Sequence, residues 1–582
     1  MRIHLHLFIL SVCLSFVSSA QLSKPPFPNL KGNETPTYEQ LIIKYQELAN
    51  QHDEIELYSM GESDYGLPIY VCVLNGAQDS IQTFEKARNS TTLLINNGIH
   101  PGEPDGINAC LIWIEDWINA GKNTKNMPVI GIIPAYNVGG MINRSSSSRA
   151  NQEGPEEYGF RGNAQNLDLN RDFIKMDSKN MFAFAKIFHG LDPDVFIDTH
   201  VSNGADYQYT LTYIASVKER MAPSMAKITH DEFLPFLTKS LEKKDVDMIS
   251  YVNLKEDVPE KGMSIFNDLP RYAMGYGALF NTMSFTIETH MLKAFQDRTQ
   301  ATLDFLKCTI VWMSEHSKNL EKARKDAFSY DAATLKFPFN YELTGKVDSI
   351  PFKGYEHTYP ISEVTGLKRL KYHRDRPFEK NIPFYQTYVA KDTVTIPDYY
   401  VIGQQCTDVI ERLKANGVEM NVLNGDFETY QIDQFRVVTF KSLEKPYEGH
   451  FLHSKISVEK VPIVEQFQPM LKAGDILVST NQPARRFIVS VLEPEMPDSY
   501  FAWNFFDSYV QQKEYFSSYV FEDKAVEILE SDPELKKQFE KKKEEDQTFR
   551  ENAWAQLYYI YQHSEFYEPT HNRLPVFTMM DL

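Results

Sequence analysis

Over the first half of the chain, short apolar runs alternate with polar segments of helical spacing. Residues 38–52 predict a helix, and 69–74 (IYVCVL) and 92–96 (TLLIN) predict strands. Residues 107–120 read as an amphipathic helix, 128–134 (PVIGIIP) as a strand and 181–190 as a helix. Two more strands are predicted at 194–200 (DVFIDTH) and 283–288 (MSFTIE), and a long helix at 299–324 closes the series. Apolar, β-branched strands between helices predict an α/β fold with a largely buried sheet. Past about residue 327 the texture changes. Residues 335–400 are rich in Pro and aromatics and poor in helical patterns. Strands are predicted at 393–396, 418–423, 435–440, 456–461, 476–479 and 487–491, with one helix at 406–415 and a mostly helical tail over 526–563. A boundary is expected near 325–340, giving a first unit over 21–330 and a β-rich or α+β unit over 331–582.

Composition narrows the class. The chain has 582 residues, 42% hydrophobic and 24% charged, which excludes a disordered, collagen-like or disulfide-dense protein. A length in this range suits two to four domains. The net charge of −19 argues against a reader of nucleic-acid phosphates. Its densest charged stretch, 536–546, mixes signs and reads as a solvated helix face. Residues 1–20 have the pattern of a signal peptide: Arg2, an apolar run at 7–17 (LFILSVCLSFV), and Ser18-Ser19-Ala20 before Gln21. That run is shorter than the roughly 20 residues a membrane span needs, and no later run reaches that length. The expected location is therefore secreted or periplasmic. Cys72, Cys110, Cys308 and Cys406 make no C-x-x-C, and apolar surroundings at Cys72 and Cys110 predict buried free thiols.

The chemistry concentrates in four segments. In 96–103 (NNGIHPGE), His100 and Glu103 form an H-x-x-E directly after a buried strand, where Gly98, Pro101 and Gly102 force a tight turn. Imidazole nitrogen and carboxylate oxygen suit Zn²⁺, and strand carboxyl ends are where open α/β sheets place their sites. His200 ends the strand at 194–200 and is the best third ligand. In 163–173 (NAQNLDLNRDF), Asn170 and Arg171 offer a neutral donor and a planar fork for a carboxylate, and Asp168 could accept the second N–H of a metal-bound histidine. In 283–290 (MSFTIETH), Glu288 ends an apolar strand, where desolvation would raise its pKa toward that of a general base. His290 reads as structural.

Together, and in this order, the four segments resemble the zinc carboxypeptidase family of the carboxypeptidase A type, over roughly residues 38–324. The resemblance implies a mixed, mainly parallel eight-stranded sheet flanked by helices. It implies one Zn²⁺ held by His100, Glu103 and His200, with Asp168 orienting His100. Asn170 and Arg171 would bind the C-terminal carboxylate of a peptide substrate, and Glu288 would be the general base. Arg161 would polarise the scissile carbonyl, with Arg149 the alternative. A loop tyrosine closing over the substrate would be Tyr276, or else Tyr272. The expected activity is an exported metallocarboxypeptidase. The same zinc chemistry would also suit a cell-wall peptide amidase or an amino-acid deacylase, and a third reading is an inactive peptide- or glycan-binding protein.

The sequence departs from the family's usual Asn-Pro-Asp-Gly at Asn137-Val138-Gly139-Gly140, and 141–160 forms a polar, Ser-rich insert expected to rim the pocket. No pro-segment is expected. The small, apolar stretch 273–280 (AMGYGALF) suggests neutral or aromatic terminal residues. No catalytic motif is legible after residue 330. The aromatic-dense 498–521 reads as core, and His450 and His453 lack a third ligand.

Overall fold

The computed structural model describes residues 27–77, 79–423, 430–462 and 471–581, so the expected signal peptide lies outside the described residues. The first half is built on β1 (Ile55–Glu62), β2 (Pro68–Leu74), β3 (Thr92–Asn96), β4 (Val129–Ile133), β5 (Val195–Ser202), β6 (Leu211–Ala215) and β7 (Met248–Ser250). Two short strands, β8 (Asn253–Leu254) and β9 (Met263–Ser264), precede β10 (Met283–His290). The main sheet has the order β1-β2-β4-β3-β5-β10-β6-β7. It is mixed: β3 runs parallel to β4 and β5, β5 to β10, and β6 to β7, while β1–β2, β2–β4 and β6–β10 are antiparallel. The central strands β3, β4 and β5 are buried along their whole length, as helix cover on a parallel sheet requires. The helices Asp105–Asn119 and Phe295–Ala333 pack on one another, and Lys179–Leu191 packs on β1.

The second half is β-rich. Asn421–Val422, Ile476–Ser479, Tyr399–Ile402, Arg573–Asp581, Tyr430–Ser442 and His453–Pro462 form a six-stranded sheet in that order. Lys336–Leu343 pairs with Tyr388–Thr395. A further sheet crosses from one half to the other: Asp348–Thr358 pairs with Lys371–Tyr385, which runs parallel to β9 and, through it, joins β8. The tail carries the helices Ser518–Ser531, Pro533–Glu545 and Ala553–Gln562.

One predicted strand is a helix. Residues 487–491 lie within the helix Arg485–Leu492, buried throughout, with Phe487 stacked on Phe280 at 5.4 Å between ring centroids. A short continuous apolar run has no period, and full burial on all sides suits a helix as well as a strand. Among the described residues the cysteines form no disulfide; Cys72, Cys110 and Cys308 are buried and Cys406 half-buried.

Candidate metal centre and active site

The site forms where β3, β5 and β10 end side by side. After β3 the chain turns through Gly98, whose φ of +70° lies in the left-handed region that glycine adopts without cost. The Glu103 N–H then closes a turn on the His100 carbonyl at 2.8 Å, which puts both side chains on one side. Asn137 braces this turn: its amide donates to the Ile99 carbonyl at 3.1 Å and to the Arg161 carbonyl at 3.0 Å. A Cβ at Gly140 would lie 2.4 Å from the Phe160 carbonyl, so the Asn137-Val138-Gly139-Gly140 departure is matched to a close backbone crossing.

His200 meets this turn from β5. One ligand atom from each of His100, Glu103 and His200 lies within 4.8 Å of the others, and all three residues are buried. The His200 Nδ1 stands 3.1 Å from Glu103 Oε2, and the His100 Nδ1 stands 3.3 Å from Glu103 Oε1. Each opposite ring nitrogen is held by a carboxylate: His100 Nε2 by Asp168 Oδ1 at 2.9 Å, and His200 Nε2 by Asp198 Oδ2 at 2.5 Å. This fixes the tautomer, with the proton on Nε2 and the Nδ1 lone pair turned inward. Two inward imidazole nitrogens and one carboxylate, each braced from behind, are a three-ligand set suited to Zn²⁺ with a position left for water.

The charges are arranged to keep the carboxylates ionised. Burial would raise the Glu103 pKa, but Arg149, at 2.8 Å from Oε1, and His100 outweigh it and hold the group well below the usual carboxylate range. Asp168 is likewise held low: burial opposes ionisation, and His100, Arg161 and Arg171 overcome it. Glu288 behaves differently. It lies beside His200 in the β5–β10 register, and burial, with the Glu103 and Asp198 charges adding, pushes its pKa up to about 7 against the opposing pull of His200 and Arg161.

Arg161 forks onto Asp168 with Nε at 3.0 Å and Nη2 at 2.8 Å, while its Nη1 reaches His100 Nδ1 at 3.3 Å; its side chain is 45% exposed. Arg149, from the 141–160 insert, is instead clamped on Glu103. Asn170 follows Asp168, whose Oδ1 accepts its N–H at 2.9 Å. The Arg171 guanidinium lies over the Tyr272 ring at 4.7 Å, and its Nη2 is 3.8 Å from Asp168.

Tyr276 is a correction. It is not brought to the site: it is fully buried among Phe173, Phe184, Phe188 and Phe280, and its hydroxyl donates to Asn416 Oδ1 at 2.6 Å and pairs with His189 Nε2 at 3.0 Å. A large aromatic with a satisfied hydroxyl is stable in such a core. Of the 273–280 stretch, Ala273 reaches the site, its N–H 3.4 Å from Asn170 Oδ1, so Tyr276 gives no support to an expected terminal-residue preference. His290 is buried with Nε2 on the Ala205 carbonyl. His450 and His453 hydrogen-bond to Asp177 and Asp507 and, among the described residues, join no metal set.

Two contributors escape a reading of sequence motifs. Asp198 sits two residues before His200, and strand alternation puts both on one face, so D-x-H was the available signal. Tyr447 arrives from the second half, where its hydroxyl accepts the Arg171 Nε–H at 3.0 Å, and no local pattern announces it.

A buried His-Glu-His set at strand carboxyl ends, braced by two aspartates and with Glu288 alongside, is suited to hold Zn²⁺. Residues 42–208 match the sequence model of the zinc carboxypeptidase family, a match that supports a zinc-dependent peptide hydrolase. No curated protein matches the chain. Among solved structures, it is similar to a metallo-carboxypeptidase from Burkholderia cenocepacia at 18% identity, covering 48% of this chain and 70% of the other, with a TM-score of 0.36. A carboxypeptidase A from Helicoverpa armigera is similar at 15% identity, with coverages of 51% and 75% and a TM-score of 0.35.

Proposed function

We propose that the chain is an exported zinc metallocarboxypeptidase that removes C-terminal amino acids from peptides bearing a free carboxylate. The observation that carries this reading is the convergence of three groups: the His100-Glu103-His200 set, the Asn170-Arg171 pair coupled to it through Asp168, and Glu288 beside His200 in register. Export rests on the pattern of residues 1–20.

His100, Glu103 and His200 would hold Zn²⁺, which would supply a bound water of pKa about 7 and a Lewis acid for the scissile carbonyl. Arg171 and Asn170 bind the substrate's terminal carboxylate and so fix which peptide bond lies at the centre. Arg161, half-exposed and pinned by Asp168, donates to the carbonyl oxygen as it gains charge; one such donor is worth about 3–4 kcal/mol. Glu288 takes the water proton on its carboxylate and returns it to the leaving amine. Burial raises its pKa above the ordinary carboxylate range, which favours taking up a proton.

Glu288→Gln should leave zinc bound while turnover falls by orders of magnitude. The check is mass spectrometry of a mixed peptide library treated with residues 21–582, beside metal analysis of both proteins. Loss of single C-terminal residues by the wild type alone supports the reading. Intact peptides with stoichiometric zinc would move it to a cell-wall peptide amidase or deacylase.

A further inference from the structure

The second half of the chain reaches the substrate end of the site through one tight turn. Tyr447 and His450 bracket it, with the Tyr447 N–H on the His450 carbonyl at 2.8 Å and the return bond at 3.0 Å. Beside the first half, the turn makes two polar contacts at the site: Tyr447 to Arg171 Nε, and Glu448 Oε2 to the Asp168 N–H at 2.8 Å. It is held from behind. His450 Nε2 lies 2.8 Å from Asp177 Oδ2, and its Nδ1 lies 2.6 Å from Asn504 Oδ1. The Tyr447 ring stacks on buried Trp503 at 6.2 Å and 18° between planes. Arg271, tied to Asp498 at 2.8 Å, lies over both rings.

These contacts restrict how Arg171 can present itself. A guanidinium can grip a carboxylate through its Nε/Nη edge or end-on through Nη1 and Nη2. Tyr447 occupies Nε, Tyr272 covers one face, and the Asn170 carbonyl accepts from Nη1 at 2.7 Å. The end-on edge, led by Nη2, is the one left to meet a ligand.

We infer that Tyr447 is a positioning residue for terminal-carboxylate recognition: by taking the Arg171 Nε–H it commits the guanidinium to end-on capture, so the second half of the chain completes the substrate-binding site. The inference rests on the proposed carboxypeptidase function. Tyr447 acts through Arg171 and does not touch the reacting atoms. Its loss should therefore weaken the grip on the carboxylate and spare the hydrolytic step.

The test uses the full zinc-loaded chain and Tyr447→Phe, which keeps the ring and its stacking. One probe is benzylsuccinate, which offers one carboxylate to the metal and a second to Arg171. The other is acetohydroxamate, which offers the metal a ligand and carries no second carboxylate. In Tyr447→Phe, KM for free-carboxylate peptides and the Ki of benzylsuccinate should each rise about tenfold, as expected for a hydrogen bond to a charged group. The kcat, the Ki of acetohydroxamate and the zinc content should stay at wild-type values. Glu448→Ala, which removes the acceptor for the Asp168 N–H, should move KM in the same direction. Unchanged KM and benzylsuccinate Ki in Tyr447→Phe, with an active wild type, would overturn the inference alone. A parallel loss of kcat and of acetohydroxamate binding would also overturn it, by showing a general structural defect. A zinc-loaded wild type that neither cleaves such peptides nor binds benzylsuccinate would overturn the function reading, and this inference with it.

Discussion

Asp168 and Asp198 do the same work on two histidines reached by different routes. Asp168 comes from the 163–173 loop and also holds Arg161, whereas Asp198 comes from the strand of its own histidine. Asp198 is therefore the cleaner test of bracing. Asp198→Ala should lower zinc affinity about 10–100-fold, read by competition with a chelator, because His200 would lose the partner that fixes its tautomer. At this scale the sequence is legible where ligand and neighbour are close in the chain. His100 and Glu103 lie in one turn, and Asn170, Arg171 and Asp168 in another. Tyr276 was misread because a tyrosine near the right place in a motif says nothing of its burial. Tyr447 was illegible because 276 residues separate it from Arg171.

At the scale of elements, a buried ion pair ties two elements together behind the site. Asp105, at the start of the helix that follows Glu103, takes Arg298 Nε at 3.1 Å and also the Thr289 hydroxyl, next to Glu288 on β10. Arg298 is fully buried and donates further to the carbonyls of Glu153, Gly154 and Lys293. Asp105→Ala leaves that cation without its counter-charge and should destabilise the fold by about 3–5 kcal/mol in urea unfolding. Elements were legible where burial is complete. β3 matches its predicted bounds, because TLLIN is apolar and flanked by polar residues. β1 was missed because Ile55 and Met60 alone are buried along it, too sparse a pattern to mark a face. The helix at Arg485–Leu492 was misread for the opposite reason, uniform burial without a period.

Across the whole molecule, the halves are joined by charge as well as by the shared sheet. His450 stands between Asp177 of the first half and Asn504 of the second, with Lys175 and Arg412 also on Asp177 at 2.5 and 3.5 Å. Burial disfavours the protonated ring and Lys175 opposes it, but the Asp177 and Asn504 hydrogen bonds win, so the His450 pKa is raised above 6.5. The stabilisation is then fully present below the unfolded value and fades as pH rises through the higher folded one. The stability gap between the wild type and His450→Gln should accordingly be larger at about pH 5.5 than at about pH 9 in paired thermal melts. The first unit is legible as a fold from its own sequence, yet the Tyr447 contact on Arg171 is not, because a contact between halves leaves no trace in either half alone.

The Tyr447–Arg171 contact also orders events in time. At about 5–20 residues per second, a ribosome adds Tyr447 roughly 14–55 s after Arg171, since the two lie 276 positions apart. His100, Glu103 and His200 are all present in the nascent chain by residue 200, but Arg171 gains its fixed bearing only after Tyr447 has been added. A growing chain thus acquires its His-Glu-His set well before Tyr447 can fix Arg171.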